Sequence, residues 1–273
     1  MYSTLLFKKV KKLLLDNWYD KDCPDLGLKK NNHPDWGNIN LEDVKDFRSL
    51  CPLIKEQFYT FCEKEILDGK IINLAPIEFK EHNIYFNTEV EKGYVLISKS
   101  KIEQEKDPTP IEIGGSATAI IRGYAHANLA DNAYGSAFDN SVIRAYAYAT
   151  IEAHNNASVH AFGNTNISAF DESCVRADSE SWVECYHNTS VRAMCRARVK
   201  ATGNSKLVLM GDAVADIFDE RVTVKAEGKS YFTSNYKINW QLKERAIYRN
   251  LDTNTIYCAD PNTTLICKKT DSQ

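Results

Sequence analysis

The densest group of potentially functional side chains in this sequence is cationic. Residues 186–209 contain no Asp or Glu and carry five basic side chains, Arg192, Arg196, Arg198, Lys200 and Lys206. Such a cluster favours binding of phosphate groups or of an acidic partner. The alternative is ordinary charge pairing with acids in neighbouring segments of a sheet. Deciding between the two requires the elements that position these residues.

Histidines and cysteines form no catalytic or metal-binding pattern. The six His and eight Cys include no CxxC pair and no zinc-ribbon spacing, so the sequence indicates neither a metal site nor a cofactor. Cys174 and Cys195 lack a paired base, and we expect them to be structural thiols. No catalytic residue is predicted, and the chain is expected not to be an enzyme.

Residues 114–233 repeat every eight positions. In the eight octads of residues 138–201, position four is Ala, Ser or Thr, position six is Val or Ile and, with one Cys exception, position eight is Ala. Positions five and seven are mostly polar, so the pattern predicts a strand whose positions four, six and eight face inward, as Ala169 would. Polar residues and Gly at positions two and three predict a corner. One such strand cannot bury its apolar face, so the octads must stack as a parallel β-solenoid.

Position one of the octads suggests the size of a coil, because stacked coils place like residues side by side. A coil of three octads groups Tyr146, Phe170, Met194 and Phe218 on one side, and Phe138, Phe162, Tyr186 and Met210 on a second. A coil of two octads would mix aromatic residues with His154 and Thr202. At position three, the longer coil gathers Asn140, Asn164, Asn188 and Asp212 at one corner. We therefore predict a mainly β, three-sided solenoid of about five 24-residue coils, with a length of about 24 Å.

This 24-residue period pairs several basic residues with acids. It places Arg176 beside Glu152, Arg192 beside Asp216, and Arg196 between two glutamates. No acid stacks on Arg198 or Lys200. The predicted binding residues are therefore Arg198 and Lys200 first, with Arg192 and Arg176 after them. The same period stacks His160 on Glu184, which we interpret as a solvated pair rather than a catalytic one.

The repeat is flanked by segments of different character. Residues 1–76 are predicted to be a helical N-terminal region, because Leu5, Val10, Leu14 and Trp18 recur at helical spacing. Residues 77–113 are predicted to be short strands that lead into the repeat. Residues 234–273 are predicted to be a C-terminal cap with a β-hairpin of 246–250 and 255–258.

Composition bounds the setting in which the protein works. The 273 residues carry a formal net charge of −3, which does not indicate a general nucleic-acid binder. No apolar run resembles a signal peptide or a transmembrane segment. We expect a cytoplasmic protein with reduced thiols, or one delivered in a virion.

Two octads carry a family resemblance: Phe162-Gly-Asn-Thr-Asn-Ile-Ser-Ala and Tyr186-His-Asn-Thr-Ser-Val-Arg-Ala. They resemble the YGNAxVxA repeats of octapeptide β-solenoid proteins found in bacterial and phage genomes. The resemblance covers about 114–233, and it implies an architecture rather than an activity. A looser similarity is to bactofilin-like filament proteins, in which the solenoid makes up most of the chain.

Regular coils without a recessed cluster of acids, bases or ligands favour a non-enzymatic protein. We predict a binding or structural protein that presents a rigid solenoid surface to a protein partner. A phage or mobile-element protein that inhibits a bacterial machine is one form of this hypothesis. Two alternatives stay open: a self-assembling filament or oligomer, and a polysaccharide- or nucleic-acid-directed enzyme or binder that uses Arg198 and Lys200.

Overall fold

The protein is described by a computed structural model that covers residues 7–8, 45–56, 58, 62 and 77–259. In this part of the chain, two β-sheets enclose one continuous apolar core. The helices whose bounds are described are α1 (Phe47–Glu56), α2 (Ile77–Glu81) and α3 (Lys101–Lys106). Most of the predicted helical region 1–76, including the amphipathic pattern of residues 5–18 apart from 7–8, lies outside the described residues.

Successive strands alternate between the two sheets. The larger sheet consists, in spatial order, of β1 (Ile84–Phe86), β2 (Tyr94–Lys99), β4 (Thr118–Gly123), β6 (Tyr134–Ala137), β8 (Thr150–Ala153), β10 (Asn166–Ala169), β12 (Trp182–Cys185), β14 (Arg198–Ala201), β16 (Val214–Ile217), β18 (Tyr231–Ser234), β20 (Ile247–Asn250) and β21 (Thr255–Cys258). The smaller sheet consists of β3 (Ile111–Ile113), β5 (His126–Leu129), β7 (Val142–Ala145), β9 (Ser158–Ala161), β11 (Cys174–Ala177), β13 (Ser190–Ala193), β15 (Lys206–Leu209), β17 (Thr223–Ala226) and β19 (Asn239–Leu242). We call their outer surfaces the twelve-strand face and the nine-strand face.

The predicted class, a mainly β parallel solenoid, is confirmed, but the predicted coil is wrong. Asn166 pairs in parallel with Trp182, and Cys174 pairs with Ser190, so one coil has two sides and two octads rather than three of each. The nine strands of the smaller sheet give about nine coils in the described residues rather than five. At about 4.8 Å for each strand, the parallel ladder from β1 to β20 is about 50 Å long, twice the predicted length.

A narrow core explains why the coil has two sides. Positions four, six and eight face inward as predicted: Thr165, Ile167 and Ala169 are at most 1% exposed. Small residues at four and eight let the two sheets approach closely, so that one Val or Ile from each strand fills the space between them. Three sides would enclose a larger cross-section, which these side chains could not fill at normal packing density.

The corners turn at octad position two, where the backbone is left-handed. Asp139, Asn155 and Asp171 have φ of 59°, 54° and 57° at this position. Asn, Asp and Gly adopt this conformation with the least strain. At Gly203 (φ +66°) an added Cβ would lie 2.7 Å from the backbone nitrogen of His187 in the preceding coil, so glycine is required there by space as well as by conformation.

Arg221 adds one residue to a single corner. Lys206 pairs with Thr223, one position further along the chain than a strict two-octad repeat would place its partner. Val222 therefore occupies the inward position that a strict octad would give to Arg221, and it is fully buried. The extra residue is held by Asp219, whose carboxylate accepts hydrogen bonds from the backbone and guanidinium of Arg221. The octads after this corner are therefore shifted by one residue, and the predicted end of the repeat at 233 falls at Ser234.

Parallel pairing extends beyond residues 114–233 at both ends of the repeat. It includes β1 and β2 on one side, and β19 and β20 on the other. The predicted hairpin is present as β20 and β21, which pair antiparallel, although β20 also pairs parallel with β18. In the segment 77–113, strands form at 84–86 and 94–99, whereas Ile77–Glu81 is helical. Helix α3 begins at a capping box in which Ser100 and Glu103 exchange side-chain-to-backbone hydrogen bonds.

Candidate functional site

The four predicted binding residues are divided between opposite faces of the solenoid. Arg176 in β11 and Arg192 in β13 are paired neighbours on the nine-strand face. Arg198 and Lys200 lie in β14, on the twelve-strand face. The structure therefore brings Arg176 and Arg192 together and separates both of them from Arg198 and Lys200.

The two-octad coil reverses most of the predicted charge pairing. Lys200 lies between Glu184 and Asp216, and its Nζ is 3.6 Å from Oε1 of Glu184, so the prediction that no acid neighbours it is wrong. Arg198 lies between Trp182 and Val214 and has no acid in register. The pairs predicted for Arg176 with Glu152 and for Arg192 with Asp216 are not formed, because these acids lie on the other face.

Arg196 finds an acid, but not one of those predicted. Its Nη1 lies 3.3 Å from Oε1 of Glu180, which occupies the same octad position one coil earlier in the chain. Both side chains are well exposed, so this ion pair contributes little to stability. The predicted neighbours Glu172 and Glu220 belong to the opposite corner of the coil.

A column of four basic side chains runs along the centre of the nine-strand face. We call Arg144, His160, Arg176 and Arg192 the cationic column; they occupy the same position in β7, β9, β11 and β13 and are in direct register. Neighbouring members are therefore about 4.8 Å apart along the rod at their Cα atoms. The three arginines are exposed, and the histidine is half-buried.

The cationic column is only partly neutralised by the protein itself. Nε of Arg176 lies 3.3 Å from Oδ2 of Asp178. Among the described residues, Arg144 and Arg192 have no ion-pair partner. Like charges directly opposite each other destabilise a sheet, so the adjacent charges of Arg176 and Arg192 weaken the fold rather than holding it together.

The same row shows that the fold does not require cations here. The residues that continue the row at either end of the column are Asn128 and Val208, both of which the sheet accommodates. Among the outward positions of the nine described strands, Glu112 is the one acid, and it accepts a hydrogen bond of 2.6 Å from Asn128. The remaining basic residues on these outward positions are His126, Lys206 and Lys225.

The position of His160 in this column lowers the pKa of its imidazole. Partial burial lowers its pKa first, and the charges of Arg176 and Arg144 lower it further, while Asp178 opposes the shift. The imidazole therefore stays neutral at pH values where a free histidine begins to protonate. The predicted stack of His160 on Glu184 is not formed: Glu184 lies on the opposite face and accepts a hydrogen bond of 2.7 Å from Tyr186.

An aromatic column lies along one corner of the solenoid. The predicted three-sided coil would not bring its members together. Phe138, His154, Phe170 and Tyr186 stack in successive coils, with centroid separations of 4.8, 4.9 and 5.0 Å and nearly parallel planes. The guanidinium of Arg122 lies 4.2 Å from the centre of the Phe138 ring at the end of the stack. The signal for this column was present in the sequence, because histidine is itself a flat aromatic ring that stacks on phenylalanine.

Side chains at the next octad position tie the same corner together. The backbone N–H of Asp139 donates to Asn155 (3.2 Å), that of Asn155 donates to Asp171 (3.0 Å), and that of Asp171 donates to Nδ1 of His187 (3.2 Å). Each bond joins one coil to the next. The ring stack and these bonds together make the edge of both faces rigid.

Other reactive groups do not converge. Among the described residues, no group of three or more His, Cys, Asp or Glu side chains is arranged to hold a metal ion. Cys174 and Cys195 are exposed free thiols, whereas Cys185 is buried, and this burial raises the pKa of its thiol. No helix among residues 7–8, 45–56, 58, 62 and 77–259 is both long and apolar enough to span a membrane.

The cationic column on this continuous parallel ladder is therefore the candidate functional site. Models of known protein families, curated proteins and solved structures were each compared with this chain, and none of them matches it.

Proposed function

We propose that this protein is a non-enzymatic binding protein whose nine-strand face docks an acidic surface of a protein partner. The observation that carries the proposal is the cationic column. Its like charges destabilise the free protein and become favourable when an acidic partner covers them. Long-range attraction by the same charges would also speed the encounter with such a partner.

The rigidity of the solenoid supports binding by a preformed surface. The column residues project from strands that are hydrogen-bonded on both sides, and their spacing is set by the ladder. Little backbone entropy is lost when such a surface is covered, so a larger part of the interaction energy appears as affinity.

Acids on both edges of the face favour a protein partner over nucleic acid. One corner carries Asp139, Asp171 and Glu172, and the other carries Asp178 and Glu180. A broad nucleic-acid duplex would lie over these acidic edges, whereas a narrow acidic ridge on a protein fits between them. The phage or mobile-element setting, with inhibition of a bacterial machine, rests on the resemblance of the octads alone.

A pair of charge-reversal variants tests this function. The first is Arg144→Glu with Arg192→Glu, in the column; the matched control is Arg198→Glu with Lys200→Glu, on the opposite face. We expect the wild type and the control to bind a synthetic peptide of alternating Glu and Ser and to retain the same partner from a bacterial lysate. We expect the column variant to lose both. Equal binding by the two variants, or no binding by folded wild type, would overturn the proposal.

One observation favours a second function, self-assembly through an end of the solenoid. Among the described strands, β19 pairs with β17 alone, and Asn239, Trp240 and Gln241 on it are exposed. Unpaired strand edges promote association between chains. Sedimentation at several protein concentrations tests it, and a strict monomer throughout would remove this alternative.

A further inference from the structure

Trp182 has a large aromatic side chain that lies on the twelve-strand face and does not pack into the core. It is 38% exposed, whereas the next residue in β12, Val183, is fully buried. Asn166 and Arg198 lie in register with it, one strand away on either side. An amide, an indole and a guanidinium therefore follow each other at about 4.8 Å intervals.

A paired carboxylate, that of Glu184, lies beside this group. Glu184 lies two positions after Trp182 on the same face of β12. Its carboxylate accepts a hydrogen bond of 2.7 Å from Tyr186 and lies 3.6 Å from Nζ of Lys200. The pKa of the Glu184 carboxyl is lowered, first by the hydrogen bond from Tyr186, then by Lys200, and least by the neighbouring indole of Trp182. Glu184 is therefore already paired within this network.

Arg198 supplies a charge that this network does not neutralise. Lys200 forms an ion pair with Glu184, but Arg198 is exposed and has no ion-pair partner among the described residues. A guanidinium recognises a carboxylate through two parallel hydrogen bonds. The free donors of Arg198 are therefore available to a carboxylate that lies over Trp182.

These groups match the chemistry of one kind of ligand. The C–H groups of a pyranose ring carry partial positive charge, and they pack on the negative face of an indole. Ring hydroxyls donate to a carboxylate or exchange hydrogen bonds with an amide, as Glu184 and Asn166 offer. We propose that Trp182, Arg198 and Asn166 form a binding site for an acidic sugar, a pyranose that carries a carboxylate.

The charges of the surrounding face disfavour single-stranded nucleic acid, which would also stack on Trp182. Glu152, Glu184 and Asp216 occupy the adjoining row of strand positions, in β8, β12 and β16. A chain with a phosphate at every nucleotide would pass close to these acids. A sugar with one carboxylate can direct it to Arg198 and turn its hydroxyls toward the acids.

Calorimetric titration of the full chain with four probes tests the site. The probes are oligomers of galacturonate and of sialic acid, a neutral galactose oligomer of matched length, and a single-stranded oligothymidylate. We expect at least one acidic oligomer to bind roughly tenfold more tightly than the neutral one, a difference of about 1.4 kcal/mol. We expect Trp182→Ala to weaken binding of that oligomer by about tenfold, and Arg198→Gln to reduce its preference over the neutral sugar to within about twofold.

Two controls on the same face keep the test specific. Tyr231→Ala and Arg249→Gln remove an aromatic and a cationic side chain that lie in β18 and β20, away from Trp182, and both should bind sugars as the wild type does. The proposal is overturned if neither acidic oligomer binds, if Trp182→Ala or Arg198→Gln binds as the wild type does, or if oligothymidylate is the preferred probe. Since the site lies on the face opposite the cationic column, its failure would leave the proposed protein-binding function intact.

Discussion

Arg176 and Arg192 occupy the same position on adjacent strands, so two arginines lie side by side on the nine-strand face. The one acid that contacts the pair among the described residues is Asp178, which is bonded to Arg176. The arrangement extends to His160 and Arg144 on the next two strands. Three arginine charges that the fold does not need, two of them on adjacent strands, are the main reason to assign this face a partner.

Removing one charge from the cationic column should stabilise the free protein. We expect Arg192→Gln to raise the free energy of unfolding by roughly 0.2–1 kcal/mol, because it relieves repulsion from Arg176. The gain should shrink at high ionic strength, where the repulsion is screened. Denaturant unfolding measures both effects, with Arg198→Gln as the control that should change little. A loss of stability in Arg192→Gln would show that the column is not repulsive.

The inward assignment of octad position eight predicts an asymmetry between two neighbours in β10. Ala169 is fully buried, so Ala169→Leu should lower the free energy of unfolding by about 1–3 kcal/mol through overpacking. Ser168 points outward, and Ser168→Leu should stay within about 0.5 kcal/mol of the wild type. Denaturant unfolding of the two variants would contradict the assignment if they were equally stable.

The shifted pKa of His160 predicts how stability depends on pH. Because the folded-state pKa is lowered, the unfolded chain binds more protons below about pH 6.5, the ordinary pKa of histidine. Stability contributed by neutral His160 is therefore present above this pH and is lost as pH falls toward the folded-state pKa. Unfolding measured from about pH 7 to about pH 5 should show a shallower loss in His160→Gln than in the wild type.

Proton titration followed by NMR checks the cause of this shift. The imidazole of His160 should titrate below its ordinary value, and Arg176→Gln should raise its pKa, because one of the neighbouring charges is removed. Ser190→Gln, on the far side of Arg176, supplies a control without a change of charge. A pKa of His160 that does not respond to Arg176→Gln would show that the charge of Arg176 does not contribute to the shift.

Gly203 should be hard to replace on steric grounds. Gly203→Ala forces a left-handed conformation on alanine and places its Cβ against the backbone of His187, so we expect a loss of about 1–3 kcal/mol. Gly114 has no such conformation, and the nearest atom to an added Cβ is an Asp131 oxygen at 3.4 Å. Thermal unfolding of Gly114→Ala should therefore resemble the wild type; equal losses in both variants would refute the steric account.

The sequence was sufficient to predict the solenoid, its inward positions and its corners, because these depend on local alternation. The coil size predicted from the sequence is wrong. Sorting residues by chemical likeness separated His154 from Phe138 and Phe170, although all three are flat rings that stack. The narrowness of the core, visible in the Ala-rich positions four and eight, was the better guide.

The error in the period carried over to the candidate site. Charges three octads apart lie on opposite sheets. The 24-residue period therefore pairs Arg192 and Arg176 with acids that lie on the other face, and it gives Lys200 no acid although Glu184 lies beside it. Arg144 was missed altogether. The one-residue insertion at Arg221 leaves a trace in the octad pattern, because a strict octad would turn Arg221, Thr223 and Lys225 inward, whereas Val222, Val224 and Ala226 are the buried residues.

The cationic column exists only if the coil contains two octads, and a native thiol makes this directly testable. Cys174 is exposed and pairs in parallel with Ser190, whereas Arg198, three octads after it, lies on the other face. Paired strands hold Cα atoms about 4.8 Å apart, within the range that a disulfide requires. On mild oxidation followed by peptide mapping, Ser190→Cys should form a disulfide with Cys174, and Arg198→Cys should not. A disulfide to position 198 and none to position 190 would contradict the two-sided coil and the binding face built on it.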